Sequence, residues 1–280
     1  MNIGIVGLGL IGGSIGLKLQ TLNHHIYGVT NSNFNKRKAL ERKLANVVSC
    51  DLSILKECSI IILALPIQDL IHPSEELISS IPKDAIVTDV GSIKEPIINT
   101  WEKIHPLFIG SHPMAGTEEK GVDSGFEGLL EKAKWIITPT SRTNSKAINT
   151  LINLLNSMKC EVCEASPKEH DEAVSLISHL PIFVASSLIQ TANTEKTKTL
   201  LNLTQKIAAT GYADTTRVGG GNPNLGLDLA RNNQTNLLNA IKEFKNNLNE
   251  VEALIKDKNW ELLSKKLTQG MKIRSNFMNQ

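Results

Sequence analysis

Apolar and polar positions follow two different rhythms along this chain. Up to about residue 165, short apolar runs rich in Ile and Val alternate with longer stretches of helical periodicity, the pattern of strands joined by crossover helices in a parallel sheet. The runs at residues 3–6, 25–29, 59–65, 85–90, 108–110, 135–138 and 159–163 read as strands. Helices are predicted over 67–80, 93–104 and 143–158, with Pro96 tolerable in a first turn. From about Pro167 the β-branched clusters give way to long helical runs over 168–192, 196–210, 225–255 and onward from Trp260. Glycines interrupt this second rhythm over 211–223.

The first strand–helix junction carries chemistry. Residues 3–6 lead directly into Gly7-x-Gly9-x-x-Gly12, and an apolar, helix-compatible run follows. In this context the motif indicates a dinucleotide: Gly7 permits the tight turn, Gly9 lets the backbone approach a pyrophosphate, and Gly12 lets helix and strand pack closely. Leu10 and Ile11 open the helix, whose free N–H groups and dipole favour the phosphates. The chain is therefore predicted to be α/β, with an N-terminal Rossmann-like dinucleotide-binding domain of mostly parallel sheet over residues 1–165. An all-helical C-terminal domain over 166–280 is expected to supply a subunit interface and one wall of the site. The second strand ends in Thr30-Asn31-Ser32, with no Asp or Glu to hold a ribose 2′-hydroxyl, and Lys36, Arg37 and Lys38 follow. Hydroxyls, an amide and nearby cations accept a 2′-phosphate that a carboxylate would repel, so NADP is favoured over NAD. Each of the three cations taken singly also fits a solvated helix start.

Bulk properties narrow the class. The 280 residues are 41% hydrophobic and 21% charged with a net charge of +2, ordinary for a soluble globular protein and without the basic bias of a nucleic-acid or membrane-surface binder. No membrane span and no leader segment are read, and a cytoplasmic location is expected. Cys160 and Cys163 have the spacing of a zinc or redox pair, but no second pair or histidine cluster completes a site, and strand alternation would put them on opposite faces. Cys50 and Cys58 are likewise read as free thiols, and no metal is expected.

Ligands of an open parallel sheet bind outside the carboxyl ends of its strands. Three further loops converge there: Leu65-Pro66-Ile67-Gln68, Gly91-Ser92-Ile93-Lys94, and 111–117, which includes His112, Gly116 and Thr117. Leu65, Pro66 and Gln68 are candidate cofactor contacts. His112, between a strand and a proline, is a candidate general base, because an unperturbed imidazole is available in neutral form near pH 7. The helical half offers His170-Asp171 and Ser178-His179-Leu-Pro181, with Asp171, Ser175 and Ser178/His179 near one helix face and a kink expected at Pro181. His179 fits a helix–helix hydrogen bond as well as a site role. Arg217 lies in a glycine-rich break from which an arginine can hold a carboxylate bidentately, although by position alone a surface arginine is the safer reading.

Taken together, Ile5-Val-Gly-Leu-Gly-Leu-Ile-Gly12, Thr88-Asp-Val-Gly-Ser-Ile-Lys94, Gly110-Ser-His-Pro-Met-Ala-Gly-Thr117, His170-Asp-x-Ala-Val174, Ser178-His-Leu-Pro181 and Arg217 with Asn222-Pro223 give the chain a clear likeness. It resembles the prephenate/arogenate dehydrogenase family, and is most similar to the arogenate dehydrogenases of photosynthetic bacteria. The resemblance implies oxidative decarboxylation of a cyclohexadienyl substrate: hydride leaves ring C4 for the nicotinamide, CO2 leaves, and the ring becomes aromatic. It implies that His112 takes the C4 hydroxyl proton or its hydrogen bond, that Ser92 orients that hydroxyl, and that Arg217 holds the ring carboxylate. Gly116, Thr117 and His179 are implied at the substrate, and the helical domains are implied to pair into a homodimer. Many relatives that take prephenate carry a histidine directly after Ser-His-Leu-Pro; here that position is Ile182. The expectation is therefore an NADP-dependent arogenate dehydrogenase of tyrosine biosynthesis. The alternatives are prephenate as substrate, a dehydrogenase of the 3-hydroxyacid or imine-reductase type, and a cofactor-sensing protein without turnover.

Overall fold

A computed structural model describes residues 1–117, 119–194 and 197–278 of the chain. They form two compact units that divide between Gln234 and Thr235. The first unit is built on one eight-stranded sheet. Its strands are β1 (Asn2–Val6), β2 (His25–Val29), β3 (Val47–Ser49), β4 (Ile60–Leu63), β5 (Ile86–Asp89), β6 (Phe108–Pro113), β7 (Lys134–Thr138) and β8 (Glu161–Glu164). The spatial order is β3-β2-β1-β4-β5-β6-β7-β8. The pairings from β3 across to β6 are all parallel, β7 runs antiparallel to β6, and β8 is parallel to β7. The sheet is thus mostly parallel, as the alternation of runs predicts.

Both faces of the sheet are covered. The run Ile60-Ile61-Ile62-Leu63 shows why it is unbroken in apolar character: Ile60 and Ile62 enter one hydrophobic core, Ile61 and Leu63 the other. The crossovers carry α1 (Leu10–Thr21), α2 (Asn33–Glu41), α3 (Ile67–Ile71), α4 (Glu75–Ser80), α5 (Glu95–Ile104) and α6 (Ser145–Ser157). The single helix predicted over 67–80 is two helices, because Pro73 breaks the path and Ser74 caps the restart by accepting from the Leu77 N–H. Strand β3, three residues long, carries too short a pattern to be read from sequence. His112, expected in a loop, lies inside β6.

The helical part of the first unit contains α7 (Pro167–Val174), α8 (Leu180–Asn193), α9 (Lys198–Ile207), α10 (Thr210–Thr216) and α11 (Pro223–Asn232). Lys196, where the second long helical run is expected to begin, lies outside the described residues. A reciprocal capping box of Ser166 and Glu169 starts α7. The kink expected at Pro181 takes a specific form. Residues Ser175–His179 open into a π-helical turn in which the Leu180 N–H donates to the Ser175 carbonyl. The wider turn absorbs the proline without ending the helical path. The stretch Pro167–Asn193 is long and apolar enough by composition to cross a membrane. Yet it buries His170, Asp171, Ser175 and His179 within the fold. The predicted helix over 225–255 is interrupted at Asn233, which separates α11 from α12 (Gln234–Lys256). The second unit consists of the rest of α12 and α13 (Trp260–Met278), tied by Lys266 and Glu250 at 2.5 Å, and it exposes Leu248, Leu262, Leu267, Met271 and Phe277.

A buried polar cluster fixes the carboxyl edge of the sheet. The Lys94 ammonium, with no solvent exposure, is paired with Asp89 and donates to the Ser111 carbonyl at 2.7 Å. Asp89 also accepts from the N–H groups of Ser111 (3.0 Å) and Gly91 (2.8 Å). The β5–β6 backbone register runs only through Val87↔Phe108 and Thr88↔Ile109. Beyond it the Asp89 carboxylate takes over as partner for β6. Asp171 then caps α5, accepting from the Lys94 N–H (2.7 Å) and the Glu95 N–H (2.9 Å). Removing one member of a buried pair strands the other charge. Lys94→Met is expected to cost about 3–5 kcal/mol in denaturant unfolding, and Lys94→Met combined with Asp89→Leu to recover part of that loss.

Candidate active site

The glycine turn has the geometry of a phosphate cradle. Gly7 sits at φ +96°, and a Cβ there would lie 2.2 Å from the Ala64 carbonyl oxygen; at Gly12 it would lie 1.9 Å from the Gly7 oxygen. These two positions admit only glycine for reasons internal to the fold. Gly9 differs: the nearest atom to a Cβ is the Gly121 oxygen at 4.0 Å, so its openness serves something outside the chain. No side chain caps α1, which leaves the N–H groups of Leu10, Ile11 and Gly12 directed at that space. Cradle, uncapped helix start and sheet edge fit a dinucleotide.

Around the second strand, Thr30 is buried, Asn31 accepts from Asn35 Nδ2 at 2.8 Å, and Ser32 caps α2 through the Asn35 N–H. No carboxylate stands at this strand end. Lys38 is drawn away to Asp123 at 3.3 Å, which leaves Lys36 and Arg37 as the cations of this corner. Leu65 and Pro66 follow β4 directly, and Gln68 Nε2 donates to Asp228 of α11 at 3.0 Å.

Beyond the cradle lies a cleft of about 810 Å³, within the range of small-molecule sites. The sheet contributes Ser92, His112, Gly116 and Thr117, and the helices contribute Ser178, Ile182 and Ser186. Arg217 lines the same cleft from the 3₁₀ turn Arg217–Gly220. That turn lies directly on α8: a Cβ at Gly219 would meet the Ser186 nitrogen at 2.5 Å. Arg217 and His112, 105 positions apart, therefore face one cavity. Glu119 and Lys120 add charge at the rim.

His112 is almost fully buried, with Nδ1 placed 2.9 Å from His170 Nε2. His170 Nδ1 in turn lies 2.7 Å from Asp171 Oδ1. Burial, helped by the adjacent His170 ring, the Lys94 ammonium and His179, holds the His112 imidazole well below its ordinary pKa of 6.5. His112 is thus kept in its unprotonated form, free to accept a proton, at the cleft wall. His179, expected at the substrate, is completely buried and does not line the cleft. Its Nδ1 accepts from Asn233 Nδ2 at 3.2 Å, and the same amide donates to the Asp171 carbonyl at 2.8 Å. Its Nε2 has no partner of regular hydrogen-bond geometry. Burial pushes the His179 imidazole down to about 4, only partly offset by the nearby Ser92 backbone and the Asp171 carboxylate.

Sequence reasoning singled out His112, Ser92 and Arg217, and the structure brings all three to one cleft. It left without a role Asp89, Lys94, Asp171 and Asn233, whose side chains join segments up to 77 residues apart in the chain. The adjacent His170-Asp171 pair was the visible signal for part of that set. The cysteines are free, Cys160 buried and Cys163 exposed, and among the described residues no group of His, Cys, Asp and Glu is arranged for a metal.

Comparison with known proteins agrees with this geometry. Residues 15–164 match the family profile described as prephenate dehydrogenase, nucleotide-binding domain, and residues 166–272 the one described as prephenate dehydrogenase, dimerization domain. Among curated proteins, the prephenate dehydrogenase of Bacillus subtilis is 32% identical over 267 residues, covering 92% of this chain and 71% of that one. Among solved structures, Synechocystis arogenate dehydrogenase is 38% identical with a TM-score of 0.83, covering 99% of this chain and all of that one. Prephenate dehydrogenase from A. aeolicus, solved with hydroxyphenyl propionate and NAD+, is 29% identical with a TM-score of 0.91 over 99% of this chain and 98% of that one. A glycine cradle that fits a dinucleotide, a histidine and an arginine lining one cleft, and both halves matched in order make this chain a member of the prephenate/arogenate dehydrogenase family, oxidoreductases of tyrosine biosynthesis that use a nicotinamide dinucleotide.

Proposed function

We propose that the protein converts arogenate to tyrosine by NADP-dependent oxidative decarboxylation, as a cytoplasmic homodimer paired through its helical domain. The observation that carries this reading is the shared cleft, lined by both the His112 imidazole, whose pKa burial lowers, and Arg217. The nicotinamide, when bound, accepts the hydride released from ring C4. His112 takes the C4 hydroxyl proton at Nε2, which raises electron density on that oxygen and favours hydride loss. The proton returns to the oxygen as the ring carboxylate departs as CO2 and the ring becomes aromatic, so no net proton is consumed. Ser92, on the β5 turn, orients the hydroxyl. Gly116 and Thr117 border the substrate.

Arg217 orients the ring carboxylate and does little more, because a pairing that tightened onto it would oppose loss of neutral CO2. Arogenate is favoured because Ile182 lines the cleft where many prephenate-using relatives have a histidine, so that donor is missing. NADP is favoured by the carboxylate-free end of β2 together with Lys36 and Arg37. The exposed apolar residues of α12 and α13 and the matched dimerization domain support the homodimer. The likeness to the prephenate dehydrogenases of B. subtilis and A. aeolicus favours prephenate as a second reading.

A two-by-two assay of arogenate or prephenate with NADP or NAD, followed by absorbance of the reduced nicotinamide, decides both choices. Arogenate with NADP is expected to give the highest kcat/KM, and Ile182→His to raise the rate with prephenate. A faster reaction of the unaltered protein with prephenate or with NAD would refute the corresponding choice. His112→Asn is expected to lower kcat by about 10²- to 10⁴-fold with NADP affinity unchanged. Because the base form is the neutral one and its pKa is lowered, kcat/KM should stay level as pH falls through 6.5 and decline only below it. A decline centred at or above 6.5 would contradict this. Arg217→Leu should raise KM by about 10- to 100-fold, the worth of a charge-assisted hydrogen bond, with a smaller change in kcat.

A further inference from the structure

The buried chain His112–His170–Asp171 does more than fill space. Both Asp171 oxygens already accept backbone N–H groups, from Lys94 (2.7 Å) and Glu95 (2.9 Å), at the start of α5. A group that accepts on both oxygens also accepts from the third neighbour, so His170 Nδ1 carries the proton at the 2.7 Å contact with Asp171 Oδ1. With His170 in its neutral form, a premise that the imidazole ¹⁵N spectrum reads out, its Nε2 is bare, and at 2.9 Å that nitrogen requires a proton on His112 Nδ1. Only one tautomer of neutral His112 remains: Nδ1 protonated, Nε2 unprotonated. Nδ1 is taken up in the buried contact, so Nε2 is the nitrogen left to the cleft that His112 lines.

We propose that His170 is a positioning residue for the reaction: anchored by Asp171, it fixes the His112 tautomer so that the cleft-facing nitrogen is always the proton acceptor. This rests on the reading of His112 as the base. The arrangement also gives the imidazolium formed during turnover a place for its charge. The Nδ1 proton points through His170 toward the Asp171 carboxylate, so His112 becomes a cation without a second unpaired charge in the interior. The sequence places this anchor 58 residues from the base, at the first turns of α7, and the capping box at Ser166 sets where those turns begin.

The test is the ¹⁵N spectrum of the imidazoles in the full-length protein, with His112 assigned by comparison with His112→Asn. A pyrrole-like Nδ1 and a pyridine-like Nε2 for His112 are expected. The reverse assignment overturns the proposal directly, with no variant needed. His170→Phe should mix the two tautomers and lower kcat by about 10- to 100-fold, the usual cost of losing a group that orients a ligand, with KM within about 2-fold. His170→Gln, which keeps an acceptor for Nδ1–H, should preserve the wild-type spectrum and most of kcat. An unchanged His112 spectrum or unchanged kcat in His170→Phe, or equal loss in both variants, refutes the positioning role. Unchanged kcat in His112→Asn would refute the base itself, and so separates the two failures.

Discussion

A lysine ammonium sealed from water between β5 and β6 sets the terms for the rest of the site. An isolated charge there would be prohibitive, so Lys94 has to meet Asp89 and the Ser111 carbonyl, and both do so from fixed backbone positions. Asp89 in turn binds the Ser111 and Gly91 N–H groups, and Ser111 Oγ receives the Trp135 indole N–H at 2.9 Å. The end of β5, its turn and the beginning of the antiparallel excursion into β7 are locked as one body. Ser92 and His112 stand on that body. Buried charge pairs add little net stability, but they tolerate few alternative geometries, and catalysis needs that intolerance.

The same cluster reaches the helical half through one carboxylate. Asp171 caps α5 with its side chain, anchors His170, and accepts from Asn233 with its carbonyl. Asn233 bridges on to His179. A chain of donors and acceptors thus runs from beneath the sheet edge to the junction of α11 and α12. The π-helical turn at Ser175–His179 shifts the phase of the helix between Asp171 and His179, so that both point inward while Ser178 and Ile182 reach the cleft.

Much of this was legible in the sequence where one residue type has one physical reason to stand where it does. Gly7 and Gly12 are confined by backbone atoms within about 2 Å of a missing Cβ, and the parallel strands are apolar on both faces because both faces are covered. His112 stood out because it reads as lying just past a strand, though β6 runs through it, and Arg217 because it lies within a glycine-rich break. The polar cluster behind them was hidden because its logic is three-dimensional: an Asp and a Lys five residues apart, or a His beside an Asp, are unremarkable until the fold removes water from around them. Lys38 shows the reverse case, a cation that suits a phosphate by position but is claimed by Asp123 in a distant loop. The split of the 67–80 and 225–255 helical runs also turns on local detail, a proline and an asparagine cap, inside a periodicity that continues across the break.

The central claim is that the cleft-facing nitrogen of His112 receives the hydroxyl proton of a substrate held opposite it by Arg217. A crystal structure of the protein with oxidised cofactor and tyrosine tests this most directly. The account predicts the phenol oxygen within about 3 Å of His112 Nε2, at hydrogen-bond distance, with the ring edge that bore the lost carboxylate turned toward Arg217. A phenol oxygen bound elsewhere, or a ring seated with that edge away from Arg217, would contradict it.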